Sequence, residues 1–172
     1  FICRGMVRWL DMADENEWTF LGSDTLASAG KPDVTFTTKK LLQVLVYHIK
    51  DVSNGDTDVR FNNNSNSVYA RRHSYNGGTD ATNLSVAEFD LYDGGDAYDK
   101  FAVMDIINIT GQEKLIISHT ASNGNSGAGN FPLRFEMSGK FVPSPDADIT
   151  QITARSTNNW GVDSGIDVAG AD

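Results

Sequence analysis

The sequence predicts an all-β protein: an antiparallel β-sandwich, jelly-roll-like, built from about ten short strands. Three observations lead there. Short blocks rich in Val, Ile, Phe, Tyr and Thr recur between clusters of Gly, Asn, Asp and Ser. Several blocks alternate apolar and polar residues with a period of two, as a strand with one buried face must. No stretch carries the apolar repeat of an amphipathic helix, which an α/β arrangement needs between its strands.

The elements follow in order. Residues 18–21 form a first strand, with 25–27 as a candidate continuation across Gly22-Ser23-Asp24. Residues 33–38 alternate Val34 and Phe36 with Thr35 and Thr37, so one face is buried. Residues 41–50 are apolar on both parities and read as a central strand. Ser53-Asn54-Gly55-Asp56 is a turn, and a strand follows over 58–62. After an Asn/Ser loop, residues 67–72 form a strand with Val68 and Ala70 opposite Tyr69 and Arg71. Asn76-Gly77-Gly78 is a turn that Asn and Gly make at low cost.

Residues 83–92 read as one alternating strand, ended by a turn at Asp93-Gly94-Gly95-Asp96. Residues 100–109 form a second strand apolar on both faces, joined through Thr110-Gly111-Gln112-Glu113 to a strand over 114–119 as a hairpin. Residues 121–130, almost wholly Ser, Asn, Gly and Ala, form a loop. Residues 131–142 alternate and are broken by Pro143-Ser144-Pro145. The spacing of Ile149, Ile152 and Ala154 predicts a bulge within a strand over 148–156. Residues 156–163 form a loop carrying Trp160, and 165–170 the closing strand.

Residues 18–172 therefore read as a single domain, with residues 1–17 as an N-terminal arm. That arm, mixed apolar and basic over 1–10, is expected to pack on a neighbouring subunit or on its own domain. A formal net charge of −9 argues against nucleic acid, which calls for a basic stripe. The longest apolar block, 41–49, is strand length and holds Gln43 and His48, so no membrane-spanning helix is expected. Cys3 is the only cysteine, which rules out an intramolecular disulfide and a cysteine-built zinc site.

No residue pattern carries enzyme chemistry. Ser126 lacks the second glycine of a nucleophile elbow. His48, His73 and His119 lie on three separate elements. The pairs Asp56/Asp58, Asp93/Asp96 and Asp146/Asp148 have neither the spacing of an EF-hand nor that of a calcium β-roll, and fit turns better. Neither a catalytic group, a cofactor nor a metal is expected. Glycosylation sequons stand at Asn63, Asn83 and Asn108, the last in an apolar strand with no room for a glycan.

Two features point to binding. Arg60, Tyr69, Arg71, Arg72 and Tyr75 suit a subunit interface, since Arg and Tyr are favoured contact residues; the alternative is a solvated strand face with aspartate partners. Trp160, in Thr157-Asn158-Asn159-Trp160-Gly161, suits sugar stacking, as would befit a carbohydrate- or receptor-binding module; the alternative is a lid over the core or an interface anchor.

A set of motifs spread over 18–172 adds a resemblance. They are Trp18 with Leu21-Gly22, Arg60-Phe61-Asn62, Tyr69-Ala70, Arg72, Ser74, Asn76-Gly77-Gly78 and Asp80, then Gly127-Ala128-Gly129-Asn130 and Gly165-Ile166-Asp167-Val168-Ala169-Gly170. Together they resemble a loose class of small phage virion proteins. The resemblance implies a non-enzymatic β-sandwich in the virion, decorating or cementing the capsid or forming part of the tail or fibre. Its expected partners are its own copies, as a homotrimer or on a lattice, other virion proteins such as the major capsid protein, and a surface glycan. Neither nucleic acid nor membrane is an expected partner. The class brings no catalytic residues, and its pattern does not include the N-terminal extension.

Overall fold

The structure, a computed structural model, describes residues 17–51, 56–92, 98–124, 127–144 and 147–172. The expected arm at 1–16, the turns at 53–55 and 93–96, Ser126 and Asp146 lie outside the described residues. The described strands are β1 (Thr19–Thr25), β2 (Asp33–Thr35), β3 (Leu41–His48), β4 (Thr57–Phe61), β5 (Tyr69–Tyr75) and β6 (Ala81–Val86). After them come β7 (Phe89–Tyr92), β8 (Lys100–Ile107), β9 (Lys114–Ser122), β10 (Leu133–Phe141), β11 (Gln151–Arg155) and β12 (Gly165–Ala171). No helix occurs among the described residues.

The strands form two antiparallel sheets in a sandwich-like, all-β fold. The larger sheet runs β1-β12-β3-β8-β9-β10-β5-β6 and the smaller β2-β11-β4-β7. A single core fills the space between them. Leu42, Val44, Val46, Met104, Phe135 and Phe141 come from the larger sheet, and Val59, Phe61, Phe89, Leu91 and Ile152 from the smaller. Each inner position alternates with an outer one, as the pleat requires. In β3, Leu42, Val44, Val46 and His48 face in, and Leu41, Gln43, Leu45 and Tyr47 face out.

Both strands read as apolar on two faces are interior: β3 lies between β12 and β8, and β8 between β3 and β9. The β8–β9 hairpin forms, its turn closed by the Gln112 N–H on the Ile109 carbonyl (3.2 Å) with Gly111 at φ 73°. The Asn76-Gly77 turn is also present. Both residues have positive φ (50° and 71°), and the Gly78 N–H donates to the Tyr75 carbonyl at 2.8 Å. That is the turn geometry whose twist suits a hairpin, here joining β5 to β6.

Two sequence expectations fail. Residues 83–92 are not one strand. Ser85 takes a left-handed conformation (φ 53°), and the chain leaves the larger sheet after β6 to enter the smaller one as β7. The inward apolar positions shift parity between Val86 and Phe89, a phase break that a single strand cannot hold. The expected bulge in 148–156 is absent as well. β11 pairs without interruption with β2 and β4, and Ile149 lies before the strand begins. Breaks in register fall instead between Phe20 and Gly22, Thr57 and Asp58, and Tyr69 and Arg71.

Candidate functional site

The two faces of β9 are reversed relative to what burial calls for. Lys114, Ser118, Thr120 and Ser122 point inward, joined by only one large apolar residue, Ile116. Leu115 and Ile117 point outward, half exposed at 52% and 49%. Two of the inward polar residues have polar partners. The Lys114 ammonium donates to the Ile109 carbonyl (2.6 Å) and to the Asp148 carboxylate (3.2 Å), while the Thr120 hydroxyl donates to the Leu91 carbonyl (2.6 Å). Small hydroxyl side chains there let β7 of the smaller sheet approach β9 closely.

The outward row belongs to a wider surface. Paired residues carry it across the sheet: Leu41 sits beside Ile107, and Ile107 beside Leu115. Leu41 and Ile107 are 41% and 43% exposed. With Trp18 and Ile117 they line an apolar groove of about 550 Å³. A second depression of about 340 Å³ adjoins it, shares Ile117 and Ser138, and is lined by Arg72, His119 and Glu136. Farther along the same face, Phe101 is 47% exposed beside Tyr47 and Ala121. Isolated exposed apolar residues are ordinary on a protein surface, but a contiguous patch marks a contact site.

The residues singled out from sequence are distributed differently. In β5 the inward set is Tyr69, Arg71 and His73, with Tyr75 half buried at its end. Tyr69 is almost fully buried. Its hydroxyl accepts the Phe61 N–H (3.0 Å) and donates to the Asn64 carbonyl (3.0 Å), and burial pushes its pKa up to about 12. Arg71 is buried in an ion pair with Asp90 of β7. Neither can serve an interface, because the register of β5 turns them into the core.

Arg60 is half buried, with Nε on the Ala87 carbonyl (3.2 Å) and Nη2 3.1 Å from Glu88. Tyr75 shares a hydrogen bond with the Tyr92 hydroxyl (3.0 Å). Of the five, Arg72 is the one on the outer face of the larger sheet, paired with Asp80 at 2.9 Å.

Trp160 is fully buried and cannot stack on a sugar. Its ring lies against His48 (centroids 4.6 Å apart, 13° between planes), and its backbone pairs with Gly30. It closes the core. The His48 Nδ1 contacts the Thr57 hydroxyl at 2.7 Å, and burial, assisted by Lys100, lowers the His48 pKa to about 3.

The three histidines do not converge. His73 stacks on Phe135 inside, and His119 faces out. Among the described residues no group of three or more His, Cys, Asp or Glu could hold a metal ion. Asp148 serves Lys114 and accepts the Thr110 hydroxyl (2.7 Å). Asn108, the apolar-strand sequon, is buried and bonded through Nδ2 to Thr38, Lys39 and Ile149.

The outer patch left a trace in the sequence. In Lys114-Leu115-Ile116-Ile117-Ser118-His119-Thr120, one parity is polar apart from Ile116 and the other begins Leu-Ile. The polar parity is the inward one because Asp148 and the Leu91 carbonyl, distant in sequence, wait there for Lys114 and Thr120. The chain matches no protein-family model, no curated protein and no solved structure.

Proposed function

We propose that this chain is a non-enzymatic structural protein that works by assembling through the outer face of its larger sheet. The resemblance to small phage virion proteins makes the assembly a particle, in which the protein decorates or cements the capsid or forms part of the tail or fibre. The observation that carries the reading is β9, which spends Leu115 and Ile117 on the outside while Lys114, Ser118, Thr120 and Ser122 go inside. Covering Leu41, Ile107, Leu115 and Ile117 would remove their remaining apolar area from water, at about 25 cal/mol per Å². Such a gain is realised only in the assembled state and stabilises it by mass action.

Light scattering coupled to size-exclusion chromatography tests this. The wild-type chain is expected to form an oligomer. Ile117→Lys should dissociate it with an unchanged circular dichroism spectrum, whereas Leu84→Lys, on the edge strand β6, should not. A wild-type chain that stays monomeric at high concentration and does not bind empty capsids would defeat the proposal.

A further inference from the structure

The apolar groove on the larger sheet is a trough with two walls. Leu41, Ile107 and Leu115 stand side by side in one outward row, and Asp105, Ile117 and Ser138 in the next. The trough therefore runs across the strands, from β3 to β10. Three strand spacings make it about 14 Å long. At the β10 end Ser138 and Gly139 keep it low. At the β3 end stands Trp18, the residue before β1, carried there by the pairs Thr19↔Gly170 and Gly170↔Leu42. The described chain thus begins at the groove, and residues 1–16, outside the described residues, are joined to it through Glu17 and Trp18.

We infer that this groove is the seat of residues 1–10 of this chain, supplied in the assembly by a neighbouring copy. The donor rests on the assembly reading above; the seat does not.

Composition, charge and reach choose this occupant. Residues 1–10 include Phe1, Ile2, Met6, Val7, Trp9 and Leu10, and the core between the sheets is built without them. Burying such a segment against an apolar surface is favourable. Phe1, Cys3, Val7 and Trp9 share one parity, while Arg4 and Arg8 share the other. An extended segment thus offers an apolar edge to the floor and its guanidinium groups to the side. The charged residue in the lining is Asp105, which accepts the Gln43 amide (3.0 Å) and pairs with no cation among the described residues. Residues 1–10 hold two arginines and no acid, in a chain whose net charge is −9.

The connector, residues 11–17, spans up to about 24 Å when extended, more than the length of the groove. Four or five extended residues fill about 14 Å. A trough calls for a projecting element, and the same face of a second copy would bring only another trough. A peptide segment with side chains entering successive depressions is a recurrent way of filling one. Exchanging such a segment between copies joins them without altering either fold.

Thiol cross-linking in the full chain tests the seat and the donor separately. Cys3 is the only native thiol and lies within the segment. Ser138→Cys adds one at the β10 end of the groove, and Thr35→Cys, on the exposed side of β2, serves as the control in a second chain. A short bismaleimide should join Cys3 to the thiol of Ser138→Cys about tenfold or more faster than to that of Thr35→Cys. Peptide mass spectrometry identifies the linked pair, and a denaturing gel should show that it joins two chains. Adding Trp9→Asp should abolish the preference with an unchanged circular dichroism spectrum. Equal rates at the two positions would overturn the seat and leave the assembly reading to the Ile117→Lys comparison above. Preferential linkage within one chain would keep the seat and overturn the neighbour as donor, and with it assembly through this face.

Discussion

Acid should destabilise this fold through one buried imidazole. His48 is 3% exposed, stacked on Trp160, and held near a pKa of about 3 by burial and the neighbouring Lys100, against 6.5 for a free ring. The folded pKa is depressed, so the native ring stays neutral while the unfolded chain takes up a proton below pH 6.5. Stability is therefore complete above that value and is lost as pH falls from 6.5 towards 3. Each unit of pH in that window costs about 1.4 kcal/mol per differing proton, so at pH 4.5 the loss from His48 is about 2 to 3 kcal/mol. Other groups titrate too, and a difference removes them. His48→Phe keeps a ring against Trp160 and has no titratable nitrogen. Losing the Thr57 contact lowers its stability equally at every pH. Urea unfolding of both proteins at pH 7 and pH 4.5, followed by circular dichroism, should show the wild type losing about 2 to 3 kcal/mol more than the variant. Equal losses would refute the assignment of the acid sensitivity to His48.

Three further outcomes follow from the packing. Arg71→Met leaves Asp90 without its buried partner and should cost about 3 to 5 kcal/mol in urea unfolding, much of it recovered when Asp90→Leu is added. Gly139→Ala should cost about 1 to 3 kcal/mol, because a Cβ there would meet the Phe89 ring and come 2.8 Å from the Ala70 carbonyl. Thermal melts of that variant beside Gly111→Ala separate contact from conformation, since Gly111 has open space around it but a φ of 73°. Asn108→Ala strips the partner from the buried Ile149 N–H (2.8 Å) and should lower stability by about 1 to 3 kcal/mol, readable as a shift in the urea midpoint.

What could be read in the sequence was whatever local chemistry decides. Apolar residues on both parities of β3 and β8 marked interior strands, and Asn76-Gly77 marked its turn, because both signals lie within a few residues. The decision about which side of β5 faces the core is not local. Tyr69 and Arg71 share a face in either reading, and arginine ordinarily goes out. Here Asp90, on the other sheet, receives Arg71 and brings it in. For Trp160 the sequence leaves sugar stacking and a lid over the core both open for the same reason: its partner His48, which makes it the lid, belongs to β3, far away along the chain. The outer patch itself is an inversion in β9 that only a tertiary partner such as Asp148 makes affordable.

β12 pairs with β1 through Thr19↔Gly170 and with β3 through Asp167↔Leu45. It is the last of the described strands to leave the ribosome, yet it occupies an interior place between two of the earliest. During synthesis β1 has no sheet neighbour, and β3 has one open flank, until residues 165–171 emerge. The nascent chain thus carries exposed strand edges until that segment is made. Closure joins segments from opposite ends and carries the loop-closure cost of such non-local pairing. The decisive closing step of folding consequently waits for β12, and the waiting edges are where a holding chaperone would act or where neighbouring nascent chains would join wrongly.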